Sequence, residues 1–347
     1  MEPYALGLFA NMYPAFDGDY RGIFIRQMVR DLEVRGILVK KAVKTSSSIT
    51  GYIPFYWQSL LLARESSLDI LQAEYIPHSS LIPALVRRRS IPLVLKFHGD
   101  DARIYPFKNR FNRFITISML HRADYVITAS NEIRDILIGL GAGPDKISAI
   151  HTGVDTGFFH PLRKEECRSL LGLPAEASIF VFVGRLHEWK GIRELLTVAM
   201  KCPMIMFAFI GPGEIPEHPD NCLFTGAKPP DAVRTWLNAA DCFILPTYTD
   251  AVPAVVMEAF ACGIPAITTD IGGCPEIVEG GVNGLMVPVK NVNALQEAVE
   301  WMHSHPAERN EMGRRARTTA IDRYDHNVLT EKLITVHRNV IDSFASR

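Results

Sequence analysis

The segment "PTYTDAVPAVVMEAFACGIPAITTD", Pro246 to Asp270, sets two carboxylates, Asp250 and Glu258, eight residues apart among Ala, Val, Pro, Met, Phe and Ile. An acid beside so much apolar surface is costly to bury unless something pairs with it. Pro253 suits the first turn of a helix, where its missing N–H costs nothing. Glu258 then lies about a turn and a half inside that helix. There its carboxylate can accept two hydrogen bonds from a vicinal diol, such as the 2′ and 3′ hydroxyls of a ribose. Asp250, in the loop before the helix, can accept from sugar hydroxyls. The competing reading makes Asp250 a turn residue and Glu258 the partner of a cation on another strand.

Other chemistry-bearing residues also follow apolar runs. In "FVGRLHEWKGIRELL", Arg185 and Lys190 lie between a strand and a helix. Two cations beside a helix N-terminus suit a diphosphate, Arg bidentately and Lys as a point charge; the alternative is two solvated loop charges. In "FIGPGE", Gly211 and Gly213 permit a close backbone approach, although G-x-G alone is weak. In "PLVLKFHGDD", His98 ends a buried strand, while Asp100 and Asp101 have turn and cap explanations. A lone His is usually structural. In "MYPAFDGDYRGIF", Gly22 precedes a helix beginning near Ile23, where backbone N–H groups can meet an anion. Asp17-Gly18-Asp19 imitates a metal-binding D-x-D, but that spacing is also common turn chemistry.

These residues must be positioned by the elements around them. Strands are expected at "ALGLFAN", "ILVKKAV", "ILQAEY", "PLVLKFH" and "DYVITAS". A second series runs through "SIFVFVG", "IMFAFIG", "NCLFTG", "DCFILPT", "PAITTD" and "GLMVPV". Amphipathic helices fill the gaps, so the fold class is α/β with parallel sheets covered on both faces. The pattern runs twice, which predicts two doubly wound, Rossmann-like domains, residues 1–155 and 156–325, with a joint in the Gly-, Thr- and Pro-rich stretch 151–163. The helical tail 326–347 carries apolar residues near a 3.6 period and has no strand after it. In open α/β sheets, ligands bind beyond the C-terminal ends of the strands, where these residues fall.

The bulk numbers exclude several classes. With 347 residues, net charge −1 and 48% hydrophobic residues, the chain reads as globular, without a nucleic-acid footprint. The six cysteines contain no C-x-x-C pair, which removes zinc and redox spacing and fits reduced thiols in a cytoplasmic protein. The first residues lack the basic start and apolar core of a signal peptide, and no apolar run approaches the ~20 residues that span a bilayer. From Leu85 to Tyr125, nine Lys or Arg face three Asp. There "FKNRFNRF" sets Phe107, Phe111 and Phe114 on one helical face with Lys108, Arg110 and Arg113 around it. Contact with an anionic membrane or lipid-linked acceptor is one reading. The somewhat favoured one is an amphipathic core helix with a solvated basic side.

Taken together, "YRGIF", "FHGDD", "VITAS", "HTGVDTGFFHP", "FVGRLHEWKGIRELL", "FIGPGE" and the long block from Pro246 resemble glycosyltransferase family 4, the retaining group 1 enzymes of the GT-B fold. The resemblance implies two Rossmann-like domains facing a central cleft, with the last helix crossing back to the N-terminal domain. It implies a nucleoside diphosphate sugar as donor, a carbohydrate or lipid-linked acceptor, and no metal or other cofactor. By the same resemblance Gly22 backs the donor phosphate, and His98 hydrogen-bonds the donor sugar near the reaction centre. Arg185 and Lys190 hold the diphosphate, and Glu258 binds the ribose. Asp250 takes the place of the first acid of the E-x7-E motif, with the backbone of Ala251 and Val252 beside the sugar. Two departures stand out: Asp250 is one methylene shorter than the usual Glu, and Ala251 replaces a Gly. In addition, many relatives carry two glycines where this chain has Arg21-Gly22. The base pocket is expected near "FTGAKPP", Phe224 to Pro230. A sugar-nucleotide epimerase or glycan phosphorylase on the same fold, and a non-catalytic nucleotide-sugar binder, are the alternative functions.

Overall fold

Apolar runs bounded by turn residues become strands, and the longer amphipathic segments become the helices between them. A computed structural model describes residues 3–16, 19 and 21–346 of the chain. It divides into two units, Met1–Thr152 with His326–Arg347, and Gly153–Asp325.

In the first unit, β1 (Ala5–Ala10), β2 (Leu38–Val43), β3 (Ile70–Glu74), β4 (Leu93–Phe97), β5 (Tyr125–Thr128) and β6 (Ile147–Ala149) form one parallel sheet in the order β2-β1-β3-β4-β5-β6. Five of these strands are legible in the sequence. The short edge strand β6 is not, because only Ile147 of its three residues is fully buried. The order reverses between β1 and β3, so loops after β1, β3 and β4 converge at one end of the sheet.

The last helix, His326–Ala345, belongs to this unit. It buries Leu329, Leu333, Ile334 and Val340 in the same core as Leu6, Leu8 and Met28. Burial of such side chains stabilises by roughly 1.5–3 kcal/mol each. Polar contacts fix its register: His326 Nδ1 lies 2.8 Å from Asp31, and Arg35 Nε donates to Glu331 at 2.6 Å.

In the second unit, β7 (Ser178–Val183), β8 (Ile205–Ile210), β9 (Cys222–Gly226), β10 (Cys242–Leu245), β11 (Ala266–Thr269) and β12 (Gly284–Val287) form a parallel sheet in the order β12-β11-β10-β7-β8-β9. The inner strands β7, β8 and β10 are buried almost throughout, as their unbroken apolar character requires. Phe180 packs on Phe207, and Phe182 on Phe209, across neighbouring strands. The reversal here falls between β7 and β10. Asp241 locks the two at their start: it accepts from the Ile179 backbone N–H at 2.8 Å and from Arg168 and Lys164 at 2.9 and 2.8 Å. Burial alone would raise its pKa, but these partners hold it below the usual carboxylate range.

Candidate functional site

The switch point of the second sheet gathers most of the residues singled out in the sequence. After β7 the chain turns through Arg185, which is exposed, and a short 3-10 segment Glu188–Lys190, into the helix Ile192–Lys201. After β10 it runs through Asp250 into the helix Ala254–Ala261. Lys190 Nζ meets Asp250 Oδ2 at 2.5 Å, with both side chains largely shielded. The sequence assigned these two residues to separate tasks; the fold pairs them. Pro253 differs from its expected place, since it is the N-cap (φ −76°, ψ 84°) rather than the first helical residue.

The two loops are held by direct backbone packing. Gly191 has φ +71°, and a Cβ there would sit 2.0 Å from the carbonyl oxygen of Pro246. Gly272 has φ +60°, and a Cβ there would sit 2.0 Å from the carbonyl oxygen of Asp250, whose carbonyl accepts from Gly273 N at 3.0 Å. No other residue type fits either position without moving the loop that carries Lys190 or Asp250. Tyr248 N donates to Trp189 O at 2.7 Å, and Thr269 Oγ1 to Thr247 O at 2.5 Å. Sequence reasoning missed Gly191 and the Gly272-Gly273 pair. Each follows the pattern of a glycine at a loop–helix junction, but their partners are distant in the chain. Ala251 and Val252 lie half-buried in the same loop, and a Cβ at Gly273 would strike the carbonyl oxygen of Ala251.

Gly211 and Gly213 are used differently from the expectation. Their open faces are filled by the backbone of Gly184 and by Leu186, and Leu186 N donates to Pro212 O at 2.8 Å. They brace the Arg185 loop. Phe224, in the middle of β9, stacks on Phe209 with ring centroids 4.5 Å apart.

Glu258 sits half-buried in its helix, and among the described residues no cation pairs with it. The reading of Glu258 as one half of an internal ion pair is thereby overturned. Desolvation raises its carboxyl pKa from 4.5 to about 7.

The first unit holds a second constellation. His98 follows β4 and is buried between the rings of Tyr75 and Phe24, at centroid distances of 4.5 and 4.9 Å. Its Nε2 lies 2.5 Å from Oε2 of Glu74, which ends β3 with no exposed surface. Its Nδ1 is buried without a hydrogen-bond partner among the described residues. Asp101 accepts from the backbone N–H of His98 at 3.0 Å, of Gly99 at 2.9 Å and of Ile76 at 3.2 Å, tying the ends of β3 and β4 together.

Glu74 heads a buried polar chain. Gln72 Nε2 donates to its other oxygen, His337 Nε2 donates to Gln72 Oε1 at 2.6 Å, and Tyr4 O–H donates to His337 Nδ1 at 2.7 Å. Desolvation pushes the His337 pKa down to about 3, so the ring is neutral and its tautomer is set by these two bonds. Burial would raise the Glu74 pKa, but Lys96, His98 and Gln72 outweigh it and hold the carboxyl below its ordinary value. An ionised Glu74 accepts from His98 Nε2–H, so any contact of this ring with a ligand must use Nδ1.

Gly22 (φ +65°) is the N-cap of the helix Ile23–Val34, and a Cβ there would lie 2.4 Å from the Met12 carbonyl oxygen. Of the D-x-D candidate, Asp17 and Gly18 lie outside the described residues. Asp19 accepts from Arg21 at 2.7 Å and from the backbone N–H of Ala15 at 3.0 Å. The phenylalanines of "FKNRFNRF" depart from the core-helix expectation. Phe107 ends a 3-10 segment, Phe111 and Phe114 lie on the helix Arg110–Arg122, and all three are exposed.

Comparison with known proteins agrees with this architecture. The family model described as Glycosyl transferases group 1 matches residues 163–319, and that of Glycosyltransferase Family 4 matches residues 21–158. The chain is 34% identical over 239 residues to the "Putative teichuronic acid biosynthesis glycosyltransferase TuaC" of Bacillus subtilis, covering 67% of this chain and 60% of that protein. It is 24% identical over 322 residues to "D-inositol 3-phosphate glycosyltransferase 1" of Catenulispora acidiphila, covering 83% and 76%. The chain thus spans about three-fifths of the first of these curated relatives and about three-quarters of the second. Among solved structures, a sucrose-phosphate synthase from Thermosynechococcus elongatus superposes with a TM-score of 0.81 at 18% identity, over 99% of this chain and 100% of that one. Anabaena Alr3699/HepE in complex with UDP-glucose superposes at 0.73 and 19% identity, over 99% of each chain. These likenesses show the GT-B fold.

Proposed function

The chain belongs to the group 1 glycosyl transferases of glycosyltransferase family 4, and on that footing we propose that it moves a sugar from a nucleoside diphosphate sugar to an acceptor hydroxyl with retained anomeric configuration. The observation that carries this reading is the Lys190–Asp250 pair at the β7/β10 switch point, on loops that Gly191 and Gly272 hold in contact. A structural neighbour, Anabaena Alr3699/HepE, solved with UDP and with UDP-glucose, supports a nucleotide-sugar donor. Teichuronic acid biosynthesis, named for one relative, supports a role in making cell-surface polysaccharide or glycolipid.

In this reading a diphosphate competes with Asp250 for Lys190 and also engages Arg185 and the N-terminal amides of the helix Ile192–Lys201. Asp250, released, accepts from hydroxyls of the sugar, beside the backbone of Ala251 and Val252. Glu258 accepts from the ribose diol. Its unpaired carboxylate is suited to a ligand that brings two donors, and binding them favours the ionised form. His98 offers Nδ1 to the sugar.

The bond from the anomeric carbon to the leaving phosphate oxygen breaks, and the acceptor oxygen bonds to the same face. The acceptor proton passes to the leaving phosphate. Charge growing on the diphosphate is stabilised by Arg185 and Lys190, which act by position and cost no reorganisation. The scheme asks for no metal, because these cations and helix amides supply the charge. The acceptor is a carbohydrate or a lipid-linked sugar, and the protein works in the cytoplasm.

A thermal-shift panel of UDP-, GDP- and ADP-sugars on the wild type and Glu258→Ala tests the donor assignment. One donor should raise Tm in the wild type, with the shift lost in the variant. Incubation with that donor, without and then with acceptors, separates transfer from epimerisation and from binding alone. No Tm shift with any nucleotide sugar, or an unchanged donor affinity in Glu258→Ala, would sink the assignment.

A further inference from the structure

The helix Tyr52–Ala63 has no place in the chemistry above, yet its composition is unusual for a surface element. From Thr45 to Ala63 there is no Lys, Arg, Asp or Glu. Phe55, Ser59 and Leu62 face inward, while Ile53, Trp57 and Leu61 project outward at i, i+4, i+8; Ile53 is 74% and Trp57 63% exposed. A helix that is apolar on both faces belongs inside a core or against a lipid phase.

Two neighbours extend this face. The helix Leu81–Val86 packs on it and exposes Leu81 and Leu85. The helix Arg110–Arg122 packs in turn on Leu81–Val86 and exposes Phe111 (69%) and Phe114 (66%), with Phe107 just before it. Adjacent exposed rows of this kind make a patch larger than isolated surface apolars, which are common and mean little.

The charge beside the phenylalanines is of one sign. Between Asp101 and Asp124 there is no acidic residue, and Lys108, Arg110 and Arg113 are exposed beside the phenylalanines. Among the described residues none of the three forms an ion pair, whereas the nearby Arg87 and Arg103 do. Aromatic and aliphatic side chains flanked by unpaired cations match the boundary of an anionic bilayer, where rings and aliphatic chains sink below the headgroups and the cations meet lipid phosphates.

We infer that the face formed by helices Tyr52–Ala63, Leu81–Val86 and Arg110–Arg122 docks the protein peripherally on a membrane rich in anionic lipid. No helix among the described residues is long and apolar enough to cross a membrane, so this is attachment from one side. The surface lies in the unit Met1–Thr152 with His326–Arg347 and uses none of the donor-site residues, so it stands or falls separately from the transfer chemistry.

Co-sedimentation of the full chain with vesicles of one part phosphatidylglycerol to two parts phosphatidylcholine tests it, with pure phosphatidylcholine as comparison. Anionic vesicles should bind, and high salt should weaken the binding. Each charge removed near an anionic surface should weaken partitioning about fivefold, so Lys108→Gln/Arg110→Gln/Arg113→Gln should lose about a hundredfold. Ile53→Ser/Trp57→Ser and Phe111→Ser/Phe114→Ser should each lose at least about tenfold, while melting as the wild type does, because the sites are exposed. Trp57 emission should shift to the blue on binding, and Trp57→Phe should remove that shift. Lys190→Ala should bind vesicles like the wild type. Three results would overturn the inference: no binding to anionic vesicles at low salt, variants that bind undiminished, or a solution dimer that Trp57→Ser dissociates, which would make the face a contact between copies.

Discussion

Replacing Glu258 by Gln should make the protein more stable at alkaline pH while weakening its grip on the donor. The side chain is half-buried with no cation partner among the described residues, and desolvation raises its pKa from 4.5 to about 7. Each pKa unit corresponds to about 1.36 kcal/mol, so the ionised carboxylate costs the fold about 3 kcal/mol once it is fully formed. Between pH 4.5 and 7 the folded chain keeps a proton that the unfolded chain has released. Stability therefore falls as pH rises through that window, and the whole cost is present above pH 7. Gln has nearly the same shape and does not titrate, so it escapes this loss. Urea or thermal unfolding of the two proteins at pH 4.5, 6 and 8, following the transition of the unit Gly153–Asp325, reads the effect. The offset should be small at pH 4.5 and should grow by up to about 3 kcal/mol in favour of the variant at pH 8, or roughly 6–12 °C in Tm for a unit of this size. Donor affinity should move the other way: in the wild type it should rise with pH through 7, and in the variant it should be weak at every pH. Parallel stability profiles for the two proteins would refute the reasoning, because they would mean that the carboxylate is already compensated in the fold.

Three further predictions test the scaffold and the first unit. Gly191→Ala should destabilise by about 2 kcal/mol and weaken donor binding, since its Cβ would strike the Pro246 carbonyl; Gly36→Ala, at φ +80° with nothing within 4 Å, should cost only about 1 kcal/mol and leave binding intact. Denaturant melts with donor titrations compare them, and equal costs would dismiss the loop-contact argument. Glu74→Gln should lower turnover with little change in donor affinity and remove about 3 kcal/mol or more of stability, because it leaves the buried Lys96 without its counter-charge and weakens the hydrogen bond that orients His98. That loss should be present above pH 4.5 and should shrink as pH falls, since the folded pKa of Glu74 lies below its ordinary value; an unaltered turnover would remove Glu74 from the positioning of His98. Lys190→Ala should slow transfer by ~10²–10³ in single-turnover assays, and a wild-type rate would dismiss its role at the leaving group.

Much of this arrangement is legible in the chain because buried parallel strands announce themselves as apolar runs, and the loops that follow them carry the reactive side chains. Arg185, Lys190, Asp250 and Glu258 were found in that way. What escaped depends on partners far away in sequence. Nothing in "EWKGI" says that Gly191 lies against Pro246, or in "DIGGCPE" that Gly272 lies against Asp250. Gln72 and Glu74 left a signal that could have been used: polar residues at alternate positions of a strand buried on both faces, which must find buried partners. The missing partner was His337, 265 residues away. The phenylalanines of "FKNRFNRF" failed for the opposite reason. Helical periodicity marks an apolar face but does not say what covers it, and here no part of the described chain does.

The chain Tyr4–His337–Gln72–Glu74–His98 also has a consequence for biosynthesis. Its members come from just before β1, from β3, from the end of β4 and from the helix His326–Ala345, and the neutral imidazole of His337 closes the line of hydrogen bonds. On the ribosome, β1 to β6 emerge before the whole of Gly153–Asp325, yet their polar interior waits for the helix His326–Ala345, which follows that unit. The unit Gly153–Asp325 is continuous in sequence and can finish folding while its elder neighbour still exposes Gln72 and the groove that receives Leu329 and Leu333. The sheet that is made earlier is thus completed later, and a chain that stopped short of His337 would lose the hydrogen bond that orders Gln72 and, through Glu74, His98, although every residue near His98 had been made.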